Sequence, residues 1–77
     1  MPTPVRFTPA HQLAPGDHID VGFGGYGRVV MRVDGVFLRG DLVDLHVHTN
    51  DLDHTTVRRA DAEVGLYPAA AEGKWLS

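Results

Sequence analysis

The chain has 77 residues, enough for one small domain and too few for a kinase, a Rossmann enzyme or a TIM barrel. Seven basic and ten acidic side chains give a net charge of -3, whereas a bulk binder of nucleic acid is normally basic. The lack of cysteine excludes disulfide scaffolds, thiolate zinc sites and cysteine nucleophiles. No apolar run is long enough to span a membrane and no signal-peptide pattern opens the chain, so we expect a soluble cytoplasmic protein without a membrane partner.

The first segment is rich in proline, with four prolines among its first 15 residues. Proline lacks a backbone donor and restricts the residue before it to extended conformations. The sequence therefore predicts an extended N-terminal arm over residues 1–12, which we expect to lie against the domain through Val5 and Phe7.

The next segments alternate between apolar and polar side chains, which is the period of a half-buried strand. A turn at Pro15-Gly16-Asp17 precedes the first of them, and the glycine-rich segment 22–27 connects it to the second. Asp34-Gly35 predicts a type I′ hairpin turn after the second strand. Arg39-Gly40-Asp41 predicts one more turn.

The clearest alternation lies in segment 43–48, where three apolar side chains point inward and Asp44, His46 and His48 point outward. If Val57 shares the inner face, the loop after this strand must have an odd number of residues. We therefore predict a three-residue loop at 51–53, which pairs Val47 with Val57.

The last part of the chain is predicted to hold a short helical turn near Ala60-Asp61-Ala62 and a closing strand over 63–67. The tail 68–77 contains one helical turn at best, and we expect it to be loose unless Trp75 docks. No segment has an apolar stripe at helical spacing, so the sequence predicts an all-β domain. Its predicted core consists of Ile19, Val21, Val29, Met31, Val33, Val43, Leu45, Val47, Val57, Val64 and Leu66.

The order of turns and strands over residues 13–67 resembles the small SH3-like barrels, which have five strongly bent strands. With six arginines against one lysine, the chain is also similar to short arginine-biased barrel proteins of actinobacteria and their phages. The resemblance implies a single five-stranded SH3-like open barrel with one short helical turn. Members of that group are usually binding modules for peptides, nucleic acid or partner subunits, and fold alone does not choose among these.

The glycine-rich segment spells G-x-G-x-x-G from Gly22 to Gly27. A dinucleotide site needs a helix after the glycines, but the residues after Gly27 alternate as a strand. A kinase loop needs a lysine on the next strand, and the only lysine is Lys74. We therefore interpret the segment as a strand connection whose Phe23 and Tyr26 are candidates for contact with a partner.

Three histidines form the weak candidate for a metal site. His46 and His48 lie two apart on one strand, and a three-residue loop would bring His54 to the same face. An exposed polar strand face accounts for the same residues, so we predict no metal and no cofactor.

Arginines supply the remaining candidate site residues. Arg28 and Arg32 share one strand face, and Arg58 lies near the closing turn. With Phe23 or Tyr26 they would form a basic aromatic patch suited to single-stranded nucleic acid, although nearby aspartates weaken its potential.

These observations favour a small non-catalytic binding or adaptor module, of phage origin in one interpretation. It would engage a protein partner through Phe23, Tyr26, Arg28, Arg32 and Arg58. Two alternatives stay open, a nucleic-acid-binding module and a histidine-based metal-binding protein. A homo-oligomer also stays open.

Overall fold

The computed structural model describes residues 2–76 and confirms the all-β prediction. Met1 and Ser77, the outermost residues of the predicted arm and tail, lie outside the described residues. Short 3-10 turns are the only helical segments in the described part of the chain, at Ala10–Gln12, Gly24–Tyr26 and Ala69–Ala71. The strands are β1 (Arg6–Pro9), β2 (His18–Gly22), β3 (Arg28–Arg39), β4 (Leu42–His48), β5 (Asp53–Arg59), β6 (Glu63–Leu66) and β7 (Trp75–Leu76).

All strand pairs are antiparallel, and they form two sheets. The larger sheet has the order β2-β3-β4-β5, curls into a half-barrel and gains β7 beside the start of β3. The smaller sheet pairs β1 with β6, so the N-terminal arm is itself a strand. No helix among residues 2–76 is long and apolar enough to cross a membrane.

The concave face of the half-barrel holds the core. Every predicted core residue except Val57 is buried there, because strand alternation sends side chains two apart to one face. Burial of each such aliphatic side chain stabilises the fold by about 1.5–3 kcal/mol. Ala10 and Leu13 complete this cluster from the turn that follows β1.

The predicted odd loop between β4 and β5 is wrong. His48 pairs with Asp53, which leaves a four-residue loop and places Val57 opposite Asp44 on the outer face. The Thr49 hydroxyl accepts hydrogen bonds from the backbone N–H groups of Asp51 and Leu52, each at 3.2 Å. This side chain closes the loop at a length that the apolar pattern could not indicate.

The predicted hairpin at Asp34-Gly35 is also wrong, because β3 continues through it with a β-bulge between Val33 and Gly35. A Cβ at position 35 would lie 2.7 Å from the Phe37 ring, so glycine makes room for that ring. The chain reverses instead at Gly40-Asp41, where Gly40 has φ +61°. The turn predicted at Arg39-Gly40-Asp41 is therefore confirmed.

The ends of the chain are docked in ways that the sequence did not indicate. Val5 and Phe7 stay largely exposed, and the arm contacts the domain through the pairing of β1 and through buried Thr8 and Ala10.

The predicted helical turn at 60–62 is a single turn in which the Ala62 N–H donates to the Arg59 carbonyl at 3.0 Å.

The C-terminal segment packs against the larger sheet, because β7 pairs with β3 and the segment covers Val30 on the outer face of β3. A second apolar cluster results, formed by Val30, Tyr67, Ala71 and Leu76. Ala71 and Leu76 are the buried side chains of the tail, whereas Trp75 is half exposed. The same segment covers His18, which is 7% exposed.

Candidate functional site

Three elements bring aromatic side chains together at the rim of the core. Phe23 follows β2, His54 lies opposite Val47 on the core-facing side of β5, and Trp75 lies opposite Val29 on β7. The Phe23 ring centroid is 4.7 Å from that of His54 and 6.0 Å from that of Trp75. Both pairs are tilted, at 50° and 56°, within the range of favourable aromatic contacts. We call Phe23, Tyr26, His54 and Trp75 the aromatic end.

The glycine-rich turn presents the fourth member of this group. Tyr26 ends the 3-10 turn, its backbone N–H donates to the Phe23 carbonyl at 3.1 Å, and the residue is 87% exposed. Gly27 has φ +95°, and a Cβ there would be 3.2 Å from the Leu76 carbonyl oxygen. Glycine at this position therefore lets the turn lie close against β7, while Tyr26 extends into solvent.

A groove of about 380 Å³ lies beside Trp75. Its apolar lining comes from Val29, Leu52 and Trp75, and its charged lining from Asp51 and Glu72. Both charged residues that line the groove in the described part of the chain are acidic. The groove therefore offers an aromatic wall and negative charge, which suit an extended segment with apolar and basic side chains.

Two of the candidate arginines, Arg28 and Arg58, meet at Asp20, whereas Arg32 does not join them. Arg28 donates to the Asp20 carboxylate at 2.7 Å, and Arg58 donates to the Asp20 carbonyl at 3.2 Å and to Thr56 at 2.6 Å. Arg32 lies apart from both, beyond the covered Val30, and donates to His48 at 3.0 Å. The Asp20 carboxylate lowers the positive potential around Arg28 and Arg58, which a nucleic-acid surface requires.

The three candidate histidines border one open pocket, but they lie on different faces of the sheet. The four-residue loop puts His54 on the core-facing side of β5, whereas His46 and His48 lie on the outer face of β4. His46 packs against Phe37 with ring centroids 4.9 Å apart, and Nε2 of His48 accepts a hydrogen bond from Arg32. Within residues 2–76, no three or more histidine, aspartate or glutamate side chains form a group that could hold a metal ion.

Two pKa shifts mark ion pairs and burial outside the aromatic end. Arg39 donates to both carboxylate oxygens of Asp44, each at 3.0 Å, and these hydrogen bonds lower the pKa of Asp44. Burial raises the pKa of Tyr67, and the negative charge of Asp20 adds to that increase.

The sequence identified Phe23 and Tyr26 as candidate contacts but did not indicate that His54 and Trp75 pack against Phe23. Trp75 was treated as part of a tail, and His54 was assigned to the wrong face through the loop length. The available signal was the pair Trp75-Leu76, an aromatic and an aliphatic residue shortly after the turn residue Gly73, which is typical of a short strand.

Comparison with protein-family models, curated proteins and solved structures gave no match. A functional interpretation therefore depends on the geometry of the surfaces described above.

Proposed function

We propose that the protein is a non-catalytic SH3-like binding module that engages an extended segment of a protein partner through the aromatic end. The observation that carries the proposal is the exposure of Tyr26 and Trp75, at 87% and 50%, around a packed Phe23–His54 pair. Large aromatic side chains that stay exposed beside a groove are typical of interaction surfaces.

The strand arrangement supports the SH3-like part of the proposal. β1 in the N-terminal arm pairs with β6, the last strand of the barrel region, and β3, β4 and β5 form a meander. A single turn at Ala60-Asp61 then leads from β5 into β6. The hairpin of β2 and the start of β3 carries the glycine-rich turn at its tip, as a long loop of such a barrel would.

The partner segment is proposed to be basic and apolar. Asp51 and Glu72 border the groove, and the whole chain has a net charge of -3, so a lysine or arginine on the partner would be attracted to it. The face of Trp75 would accept either an apolar side chain or a cation stacked on the ring.

Selection from a displayed library of random 12-residue peptides tests the proposal. We expect the selected peptides to be enriched in arginine or lysine next to apolar residues. Fluorescence polarisation then compares the wild type with Tyr26→Ser and Trp75→Ser, for which we expect Kd values about tenfold or more higher. The matched control is Phe37→Ser, because Phe37 is 52% exposed, as Trp75 is 50%, but lies on the outer face.

Two results would count against the proposal. One is a loss of affinity in Phe37→Ser that equals the loss in Trp75→Ser. The other is the absence of any selected peptide together with tight, salt-dependent binding of a single-stranded oligothymidine, which would favour the nucleic-acid alternative.

A further inference from the structure

The outer edge of β5 is an unpaired sheet edge. In the described chain, residues 2–76, β5 pairs with β4 alone and ends the strand order of its sheet. The Ala60 N–H donates to the Asp41 carbonyl and the Thr49 N–H to the Leu52 carbonyl, which fixes the phase of the ladder. Because hydrogen-bonded positions alternate, even-numbered residues of β5 bond to β4 and odd-numbered ones point their backbone groups outward.

The exposed edge also carries an exposed apolar side chain. Val57 is 47% exposed on the outer face, and Thr55 beside it is also exposed. Unpaired strand edges bind other strands, and natural proteins protect them with proline, with lysine or with inward-pointing charged residues. Between Asp53 and Arg59 this strand has no proline or lysine, and its inward-pointing charge, Arg58, is directed to Asp20 on β2.

The charges along β5 fit a second copy of the same strand. The strand begins with Asp53 and ends with Arg59. Antiparallel pairing with full overlap places Asp53 of one copy opposite Arg59 of the other, at both ends of the strand. A parallel arrangement would instead place like charges side by side.

The same register allows both backbone hydrogen bonds and favourable side-chain pairs between the two copies. It pairs odd-numbered residues with odd-numbered residues, so Thr55 of each copy exchanges backbone hydrogen bonds with Val57 of the other. These two side chains then lie opposite each other on the outer face, a favourable cross-strand pair. Thr56 lies on the two-fold axis. The Arg58 side chain lies on the inner face and reaches the Asp20 carbonyl on β2 at 3.2 Å. Its Nη1 also donates to the outward-pointing Val57 carbonyl at 3.4 Å, a long hydrogen bond that pairing with a second strand would replace.

We propose that the protein forms a two-fold symmetric dimer by antiparallel pairing of the β5 edges around Thr56. The proposal concerns a surface separate from the aromatic end and does not depend on it. A strand of seven residues buries less area than a permanent dimer needs, so the dimer is weak and depends on concentration.

Sedimentation velocity between about 10 μM and about 1 mM tests the proposal, since weak interfaces dissociate in that range. We expect the wild type to shift from monomer to dimer as its concentration rises. Asp53→Arg and Arg59→Asp each place like charges opposite one another, so each single variant should dimerise at least about tenfold more weakly. Both side chains are highly exposed, at 94% and 75%, so the variants should fold.

Two controls separate this arrangement from a general effect of charge. An equimolar mixture of the two single variants should dimerise again, because each supplies the charges that the other lacks. Asp34→Arg makes the same charge change at an exposed position of β3 and should dimerise as the wild type does.

Amide hydrogen exchange gives a second measurement. Exchange at Thr55 and Val57 should slow as concentration rises, while exchange at Thr56, whose N–H already bonds to β4, should change little. A wild type that stays monomeric to about 1 mM would overturn the proposal and leave the edge to a strand of another protein. Failure of the mixed variants to dimerise would also overturn it.

Discussion

Nε2 of His18 lies 2.8 Å from Oε1 of Glu72, and this contact connects β2 to the C-terminal segment 54 positions later in the sequence. His18 is only 7% exposed, so its ring needs this partner. The backbone supports the same junction, because the Tyr67 N–H donates to the His18 carbonyl at 2.8 Å. The C-terminal segment is therefore an integral layer of the fold.

Replacement of Glu72 by alanine should weaken that layer. Glu72→Ala leaves a buried ring nitrogen of His18 without its partner, which we expect to lower the free energy of unfolding by about 1–3 kcal/mol. Urea unfolding followed by the fluorescence of Trp75, the only tryptophan, measures the change. Glu63→Ala, at an exposed carboxylate, is the control and should stay within about 0.5 kcal/mol of the wild type. Equal effects of the two variants would contradict the role given to Glu72.

The register of β4 and β5 can be tested with two matched substitutions. Val47→Thr introduces a hydroxyl at a residue that is 2% exposed and should cost about 1–3 kcal/mol of unfolding free energy. Val57→Thr keeps the β-branched shape at an exposed position and should be nearly neutral. Chemical denaturation of both variants gives the comparison. A similar cost at both positions would indicate that Val57 shares the core face, as the three-residue loop requires.

The ion pair of Arg39 and Asp44 should affect the pKa of Asp44 and, through it, the dependence of stability on pH. The hydrogen bonds from Arg39 lower the pKa of Asp44 in the folded state below its usual value of 3.8. Between the folded-state pKa and pH 3.8, Asp44 therefore binds more protons in the unfolded state than in the folded state. The stabilisation is therefore present above pH 3.8 and is lost as pH falls through the folded-state pKa. In Arg39→Gln we expect the pKa of Asp44 to rise toward its usual value, measured by NMR titration of its carboxyl carbon. Arg59→Gln should leave that titration unchanged; a shift in Arg59→Gln, or none in Arg39→Gln, would contradict the assignment.

Sequence alternation was sufficient to identify the faces of most strands. Ile19 and Val21, and likewise Leu45 and Val47, are buried as predicted, because the period of a strand depends only on the backbone. The all-β class follows from the same period. The cytoplasmic location and the phage or actinobacterial origin stay predictions.

Turns and edges were harder to predict from the sequence, because the same pair of residues can occur in two different local structures. Asp34-Gly35 is typical of a hairpin turn, but here the glycine is needed under the Phe37 ring within a bulge. Only long-range pairing decides between the two.

The aromatic end escaped prediction for a related reason. His54 reaches Phe23 only because a threonine hydroxyl sets the loop length, and Trp75 reaches it only because the tail pairs with β3. Side chains from distant parts of the chain come into contact there, and no local pattern in the sequence predicts that contact.

The most direct test of partner binding at the aromatic end is an NMR titration of the labelled protein with the tightest peptide from the library. Phe23, Tyr26, His54 and Trp75 should show the largest chemical-shift changes, with the Trp75 indole N–H among them. Residues of the outer face, such as Phe37 and His46, should change little. The largest changes on that outer face, with an unaffected Trp75 indole, would contradict the proposed function.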